Sequence, residues 1–307
     1  MPMITANDYY RRHFGGKVYR VSLNGGMSCP NRDGTLDTRG CIFCSRGGSG
    51  EFAASATLSV TEQLAQAKQK VAAKLPKNKQ RFAGYIAYFQ AFTNTHAPVS
   101  YLKEIFTEAI SDPEVVGLSV ATRPDCLPPE CVTLLSELNQ IKPVYVELGL
   151  QTIHASSADF IRRGYPLEVY DDAVSCLQAQ HIPVITHVIL GLPKESPADM
   201  AATVAHVVKA GVHGIKLQLL HVLEDTDLAD YYRNAPASEF ACMSLEAYSS
   251  VLQTLLPLIP EDTVIYRLTG DGPKKSLLAP LWSGDKKNVL NTLHRQLERS
   301  FPCNPKC

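Results

Sequence analysis

Short apolar runs alternate with longer segments of helical periodicity along most of the chain. The runs are apolar on both faces and rich in β-branched and aromatic residues, which is typical of buried parallel strands. We predict strands at 16–23, 82–89, 115–121, 144–150, 184–190, 214–220 and 263–268. The segments between them carry apolar residues at i, i+3 and i+4. They predict helices at 59–74, 99–110, 128–139, 168–180, 197–210 and 244–258.

This alternation predicts an α/β fold with one parallel sheet, because each helix can carry the chain back in a right-handed crossover. Six or seven such units favour a full or partial (β/α) barrel over an open, doubly wound sheet. In both folds ligands bind at the carboxyl ends of the strands. We therefore expect the functional residues at those ends.

The composition is that of a folded protein. Of the 307 residues, 45% are hydrophobic and 20% are charged, which excludes disordered and collagen-like chains. No stretch approaches the roughly 18 consecutive apolar residues of a membrane-spanning helix, and residues 1–14 lack the apolar region of a secretion signal. We expect a cytoplasmic protein.

Charge is balanced overall, with 30 basic and 30 acidic residues, but it is uneven along the chain. Residues 68–81 include six basic residues and no acid, and residues 267–307 include eight basic residues against three acids. Residues 221–262 are predominantly acidic. Binding of a polyanion would have to use the local basic segments. Solvated helix faces give the same pattern, so both interpretations stay open.

Three of the nine cysteines lie in the loop after the first predicted strand. Cys29, Cys41 and Cys44 have the spacing C-x11-C-x2-C, which in a chain without a secretion signal indicates metal binding or catalysis rather than disulfides. No fourth Cys or His lies nearby, and the nearest on the C-terminal side is His96. A structural zinc site normally has four ligands, whereas three thiolates on a four-iron cluster leave one iron open. The missing ligand is informative, although this loop alone does not decide between the two metals.

Several segments together resemble the radical S-adenosylmethionine (radical SAM) enzymes. The loop CPNRDGTLDTRGCIFC resembles the cluster loop of the branch with a lengthened first spacing, which is similar to the catalytic subunit of Elongator. The resemblance covers nearly the whole chain through YFQAFTNTHAP, SVATRPDCL, ELGLQT, RRGY and HVILGLP.

This resemblance implies a partial (β/α)6 TIM-like barrel of the radical SAM type at 1–270, with the cluster loop at 24–56. A short basic C-terminal extension at 271–307 would not be an independent domain. It also implies a [4Fe-4S] cluster on Cys29, Cys41 and Cys44, and reductive cleavage of S-adenosylmethionine (SAM) to methionine and a 5′-deoxyadenosyl radical. A low-potential electron donor such as flavodoxin or ferredoxin is implied as a partner.

One family motif is missing. The Gly-Gly-Glu motif that holds the methionyl ammonium of SAM is absent, and QAFTNT at 90–95 occupies its position. The methionyl ammonium would then be bound by backbone carbonyls or by Gln90, Thr93 and Asn94.

The resemblance also implies SAM contacts at other strand ends. Glu147 and Gln151 would line the ribose and methionyl end, and Arg163 would pair with the carboxylate. Gly191 would contact the adenine and Phe43 would support it. From the residues alone, a structural salt bridge explains Glu147, a turn explains Gly191 and packing explains Phe43.

Arg123, Asp125 and Tyr266 are candidate substrate contacts near strand ends. Arg123 and Asp125 are also suited to pair with each other. His187, in mid-strand, is more typical of a core histidine, and His221 is a further substrate-site candidate.

The remaining cysteines are expected to be packed or inert thiols, or to lie in an irregular tail. The first group comprises Cys126, Cys131, Cys176 and Cys242, and the tail carries Cys303 and Cys307. A hydrogen-atom donor at Cys126 is the alternative for that thiol.

Resemblance to the Elongator catalytic subunit implies tRNA as the substrate, at the C5 side chain of the wobble uridine. Because fewer than fifty residues follow Tyr266, we expect no acetyltransferase domain. Removal or rearrangement of an existing group, such as carboxymethylaminomethyl, is then favoured over addition. The alternatives are a radical SAM enzyme for a small metabolite or peptide, and a zinc-stabilised binding protein without catalysis.

Overall fold

The apolar runs predicted from the sequence form the strands of one parallel sheet. The computed structural model describes residues 3–48, 50–51, 53–75, 81–270 and 272–300. Its strands are β1 (Lys17–Leu23), β2 (Phe82–Phe89), β3 (Val115–Thr122), β4 (Val144–Gln151), β5 (Val184–Leu190), β6 (Gly214–Leu219), β7 (Val222–Leu223), β8 (Val264–Arg267) and β9 (Leu277–Ala279). The sheet runs β1-β2-β3-β4-β5-β6-β8, while β7 and β9 form a separate antiparallel pair.

Helices connect the successive strands of the sheet. They are α1 (Ala6–Phe14), α2 (Val60–Ala72), α3 (Val99–Ser111), α4 (Pro129–Asn139), α5 (Ala155–Phe160), α6 (Leu167–Ala179), α7 (Pro197–Lys209), α8 (Asp227–Asn234), α9 (Leu245–Leu255) and α10 (Lys286–Ser300). None of the described helices has both the length and the apolar character needed to cross a membrane.

The order of the strands decides the architecture. A doubly wound sheet reverses direction at a switch point, whereas this sheet advances strand by strand in chain order. The sheet is curled, because Arg20 of β1 and Lys216 of β6 both reach Glu147 of β4, and its two edges, β1 and β8, leave the barrel open. The predicted partial TIM-like barrel is confirmed, with seven parallel strands.

The main apolar core lies between the outer face of the sheet and the helices. Its largest fully buried side chains come from strands and helices alike: Phe89, Leu102, Phe106, Leu135, Tyr170 and Tyr248. Burying such a side chain contributes roughly 1.5–3 kcal/mol. The buried Tyr170 hydroxyl is hydrogen-bonded to Thr186 Oγ1 at 2.7 Å, so this polar group is satisfied.

Aromatic rings fill the amino end of the barrel's interior. Helix α1 packs Tyr9 and Tyr10 against Tyr145, His213 and Tyr266, with the centroids of contacting rings 4.7 to 6.2 Å apart. The Tyr9 and Tyr145 hydroxyls are 3.1 Å apart. We call these rings the aromatic plug. Because the plug fills the amino end of the interior, a ligand can approach from the carboxyl end of the strands.

Some elements were not predicted. Helices α1, α5, α8 and α10 and the strands β7 and β9 lie in segments that the sequence analysis left unassigned. In α10, the side chains of Val289, Leu293 and Leu297 are buried in the main core, at i, i+4 and i+8 spacing. The tail 301–307, with Cys303 and Cys307, lies outside the described residues.

Helix α7 begins with a capping box that we expect to contribute measurably to stability. Ser196 Oγ accepts from the Asp199 amide at 3.3 Å, and Asp199 Oδ2 accepts from the Ser196 amide at 2.8 Å. Ser196→Ala removes one of these bonds and should lower the free energy of unfolding by about 1 kcal/mol. Chemical denaturation followed by circular dichroism measures this change. Ser175→Ala, on the exposed face of α6, is the control, and an equal loss in both variants would refute the capping argument.

Candidate active site

The cysteine loop runs from the end of β1 to the start of α2, at the carboxyl edge of the sheet. Cys29, Cys41 and Cys44 are half-buried free thiols. The Cys29 carbonyl accepts from the Arg32 amide at 2.7 Å, and the Arg32 guanidinium donates to the Cys44 carbonyl at 2.7 Å. Gly40 has a φ of 77°, and a Cβ there would lie 2.7 Å from Arg32 Nε. Only glycine therefore allows this fold of the loop.

The three thiols influence one another electrostatically. Burial raises the pKa of Cys41 and raises that of Cys44 to about 12, and the neighbouring thiols of the loop add to both shifts. A bound metal reverses this effect because it stabilises the thiolates. Among the described residues, no three Cys, His, Asp or Glu side chains already have the geometry of a metal site. The chemistry of the donor set, three soft sulfur ligands on one loop, nevertheless fits an iron–sulfur cluster.

One buried amide fastens this loop to the segment that follows α5. Asn31 is 2% exposed, and its Nδ2 donates to the carbonyls of Arg162 and Arg163 at 2.7 and 3.3 Å. The same Nδ2 is 3.5 Å from Cys41 Sγ. Gly164 has a φ of 82°, and a Cβ there would lie 2.8 Å from Asn31 Oδ1. The RRGY segment thus positions the cysteine loop.

Backbone carbonyls surround Arg163. Its guanidinium donates to the carbonyls of Tyr165, Leu150 and Thr152, at 3.0, 3.3 and 2.6 Å. Burial lowers the pKa of this guanidinium. Arg163 therefore ties the end of β4 to the RRGY segment, and its pairing with the SAM carboxylate stays a prediction.

Buried amides and hydroxyls line the loop after β2. Thr93 and Asn94 are 1% and 0% exposed, and Gln90 Oε1 accepts from Ser22 Oγ at 3.2 Å. Asn94 Nδ2 donates to the Ala121 carbonyl at 2.8 Å, which fixes the orientation of the amide. Its Oδ1 is buried with no hydrogen-bond partner in the described part of the chain. An unpartnered acceptor costs about 1–3 kcal/mol, so Asn94 Oδ1 fits a donor such as the methionyl ammonium.

Backbone strain is concentrated at the same edge of the sheet. Positive φ angles occur at four non-glycine residues at or beyond the ends of β2, β4 and β5: Phe92, Gln151, Arg162 and Lys194. His181, before β5, is a further example. Strained backbone of this kind costs of order 1–3 kcal/mol and clusters at functional sites.

Phe43 and Gly191 lie near the ends of β5 and β6. Phe43 packs against a second apolar cluster that includes Ile189 and Leu220. Gly191 has a φ of 89°, and a Cβ there would lie 2.7 Å from Met243 Cε. The left-handed backbone therefore already favours glycine at this position, and the predicted adenine contacts of both residues remain predictions.

Arg123 and Asp125 pair with each other at the end of β3. The pair is bidentate, with Nε–Oδ1 and Nη2–Oδ2 distances of 2.9 and 2.7 Å. The guanidinium also lies 5.1 Å from the Tyr165 ring centroid, and it interacts electrostatically with Cys29 and Cys41. The pair is thus beside the cysteine loop, where its contact with a substrate stays a prediction.

Each of the first six strands places one polar side chain in the barrel's interior, around the Glu147 carboxylate. We call this group the lumen layer; its members are Arg20, Tyr88, Ser119, Glu147, His187 and Lys216. Glu147 Oε1 accepts from Arg20 and from Ser119 Oγ at 2.7 Å. Glu147 Oε2 accepts from Lys216, from His187 Nε2 at 2.7 Å and from the Tyr88 hydroxyl at 3.1 Å.

Positive groups outnumber negative ones in the lumen layer. Burial opposes ionisation of Glu147, but Arg20 and Lys216 hold its pKa well below the usual range. Burial, together with Arg20 and Arg267, lowers the pKa of Lys216 against the attraction of Glu147. His187 is neutral near pH 7, because burial and Lys216 lower its pKa to about 4. An additional anion would relieve this excess of positive charge.

The lumen layer includes residues that the sequence analysis missed and leaves out one that it proposed. Arg20 and Lys216 show the signal that singled out Glu147, a charged residue within an apolar strand. The Tyr266 hydroxyl lies 3.1 Å from His213 Nε2, and the Tyr266 ring centroid lies 5.9 Å from Arg20 Cζ, so Tyr266 borders the lumen layer without contacting Glu147. His221 packs against Gly270, beyond the end of β6.

Comparison with known proteins identifies the family to which this chain belongs. A model of the radical SAM superfamily matches residues 38–207, which is more than half of the chain, and a model of the radical SAM C-terminal domain matches residues 212–299. The chain is 42% identical to the uncharacterized protein YtqA of Bacillus subtilis, over 96% of this chain and 89% of that protein. It is 35% identical to protein YhcC of Escherichia coli, over 93% of this chain and 89% of that protein.

A solved structure shares the fold. The Elp3 protein of the archaeon Methanocaldococcus infernus, without its N-terminus, superposes with a TM-score of 0.69 at 16% identity. The match covers 92% of this chain but only 63% of the Elp3 chain, and at this identity it bears on the fold alone. The family match shows that the chain belongs to the radical SAM superfamily, whose members use a [4Fe-4S] cluster and S-adenosylmethionine.

Proposed function

We propose that this radical SAM enzyme remodels the C5 side chain of the wobble uridine of tRNA. The reaction removes or rearranges an existing substituent, such as a carboxymethylaminomethyl group. When bound, the reduced cluster and SAM supply a 5′-deoxyadenosyl radical that takes a hydrogen atom from the substrate. Flavodoxin or ferredoxin is the proposed electron donor, since the reduction needs a low potential.

The observation that carries the substrate proposal is the excess of positive charge in the lumen layer. Arg20 and Lys216 are two basic side chains that pair with the same carboxylate, and Arg20 Nη1 is buried with no hydrogen-bond partner among the described residues. A carboxymethylaminomethyl group ends in a carboxylate, which would supply both the missing charge and the missing acceptor. The side chains of Arg20 and His187 are 21% and 18% exposed, so the layer is not sealed.

We also propose residues that bind the cluster and SAM. We assign the cluster to Cys29, Cys41 and Cys44, and the methionyl ammonium to Asn94 with support from Thr93. Both oxygens of Glu147 are engaged within the lumen layer, so we assign to Glu147 the orientation of Arg20 and Lys216. Contacts with the rest of SAM are proposed for four further residues: Phe43, Gln151, Arg163 and Gly191.

The alternatives are a zinc-stabilised binding protein and a radical SAM enzyme for a small metabolite or peptide. Membership of the radical SAM superfamily favours an enzyme over a zinc-stabilised binding protein. A small metabolite with a carboxylate would also suit the lumen layer. The motifs that resemble the Elongator catalytic subunit favour tRNA over such a metabolite.

The most direct test of the proposed substrate is nucleoside analysis. In a strain that lacks this protein, mass spectrometry of total tRNA should show a changed set of wobble uridines, with the unprocessed C5 substituent accumulating. An unchanged set of wobble nucleosides would contradict the tRNA proposal and favour the metabolite.

Complementation of the deletion strain tests the role of the lumen layer: a variant that cannot bind the substrate should not restore the wobble nucleosides. Lys216→Met keeps an unbranched side chain but removes its ammonium group, so it should fail to restore the nucleosides while its iron content stays normal. Lys209→Met, at an exposed position of α7, should restore them fully. Complementation by Lys216→Met at the level of the unsubstituted protein would exclude a substrate role for the layer.

The cluster assignment predicts the iron content of cysteine variants. Cys29→Ala, Cys41→Ala and Cys44→Ala should each lose the cluster after anaerobic purification, because three thiolates are needed to hold it. Cys176→Ala, an exposed cysteine on α6, should keep it. Iron analysis and visible absorption measure the result, and a full four-iron complement in any of the three loop variants would overturn the assignment.

Asn94 should affect SAM binding without affecting the cluster. Asn94→Ala removes a buried acceptor for the methionyl ammonium and should weaken SAM binding about tenfold, as expected for one charge-assisted hydrogen bond. Asn291→Ala, exposed on α10, is the matched control. Calorimetric titration of the reconstituted variants with SAM gives the two affinities. Equal affinities would show that Asn94 does not contact SAM.

A further inference from the structure

A basic pocket lies at the end of the molecule opposite the cysteine loop. It has a volume of about 500 Å³ and is lined by Arg11, Lys17, Lys74 and Arg81, by Tyr19 and by the backbone of 15–16. Lys17 is the first residue of β1, and the cysteine loop begins beyond the last residue of the same strand. The seven residues of β1 span roughly 20 Å.

Local contacts bring these four cations together. Tyr19, on β1, donates its hydroxyl hydrogen bond to the Lys74 carbonyl, which holds the end of α2 against β1. A Cβ on Gly16 would lie 3.1 Å from the Arg81 carbonyl, so glycine allows β1 and the start of β2 to approach closely. Burial and the neighbouring Arg11 lower the pKa of Lys17, despite an opposing influence of Asp8.

Three of the four cations of this pocket have no acidic partner among the described residues. Arg11, Lys74 and Arg81 are exposed, and none of them forms an ion pair with another described residue. Lys68, which belongs to the same basic run of the sequence, contrasts with them. Its Nζ is 2.7 Å from Asp112 Oδ2 and 2.9 Å from Glu114 Oε2, so its charge is compensated.

We propose that this pocket binds backbone phosphates of the RNA substrate, at a distance from the base that is modified. Phosphate contacts fix the position of a nucleic acid and carry no sequence information, so they need not be near the reacting base. The inference rests on the proposed tRNA substrate and adds the surface that holds it. A small metabolite would not extend from the lumen layer to this pocket.

The helix ends favour an RNA backbone over a free nucleotide. Compact phosphate sites typically use the amide groups of a helix N-terminus. Here Gly15 is the C-cap of α1 and Ala73 is the C-cap of α2, so the pocket faces two helix C-termini. Exposed cations must supply the attraction, as they do along the backbone of a nucleic acid. The competing explanation is that these cations merely stabilise the two helix ends.

Salt-dependent binding tests the proposal. Fluorescence anisotropy would measure the affinity of the reconstituted enzyme for labelled total tRNA at several salt concentrations. The triple variant Arg11→Glu, Lys74→Glu, Arg81→Glu should bind at least about tenfold more weakly at low salt. Its slope of log affinity against log salt should be smaller by about 3, one for each lost contact. The neutral triple variant Arg11→Gln, Lys74→Gln, Arg81→Gln should show a smaller loss of tRNA affinity. It replaces the charge-reversed variant in the test if that variant does not fold.

A matched triple variant controls for net charge. Lys103→Glu, Lys194→Glu and Lys209→Glu change exposed lysines elsewhere by the same total charge and should leave the slope unchanged. An equal loss of tRNA affinity in the two triple variants would overturn the proposal. So would a lower melting temperature with unchanged tRNA affinity in the pocket variant, which is what the helix-end explanation predicts.

Three further outcomes separate this proposal from its alternatives and from the proposed function. If the unsubstituted enzyme binds inorganic phosphate at constant ionic strength, and the pocket variant loses this phosphate binding but keeps its tRNA affinity, the pocket is a free-phosphate site and the RNA assignment is wrong. If the unsubstituted enzyme binds tRNA but the pocket variants bind equally well, only the pocket assignment fails. If the unsubstituted enzyme shows no salt-sensitive tRNA binding, the pocket and the tRNA substrate are both refuted.

Discussion

A single buried carboxylate, Glu147, holds six strands of the half-barrel in one arrangement. An unpaired charge in this position would be prohibitively costly, and removing one partner of a buried ion pair typically costs about 3–5 kcal/mol. Glu147 therefore depends on donors from β1, β2, β3, β5 and β6, and those strands must keep the register that delivers them. The same set of donors leaves the interior with more positive charge than one carboxylate can balance. The demands of folding thus produce the electrostatics of the proposed substrate site.

The two ends of the interior differ in a way that suits radical chemistry. At the amino end, Tyr10, Tyr145 and Tyr266 pack into an aromatic plug. At the carboxyl end, Asn31 fastens the cysteine loop to the RRGY segment, and several residues with positive φ lie nearby. A reactive intermediate formed at that end would be screened from water by the plug below and by the loop above.

The sequence predicted what depends on local pattern. Buried parallel strands are apolar on both faces, so all seven strands of the sheet were found, and the spacing of Cys29, Cys41 and Cys44 identified the candidate metal loop. The rest depends on partners that are distant in sequence. Lys216 is 69 residues from Glu147, so only the fold shows that the two are paired. Helix α1 was missed because its buried face consists of tyrosines among charged residues.

The central claim is that the lumen layer recognises a carboxylate on an RNA substrate. It is tested most directly by substrate-stimulated formation of 5′-deoxyadenosine in the reconstituted enzyme. Two anticodon stem-loops would be compared, identical except that the wobble uridine carries carboxymethylaminomethyl in one and aminomethyl in the other. The account predicts stimulation by the carboxylate-bearing RNA and little by its partner. Equal stimulation by both RNAs would contradict it.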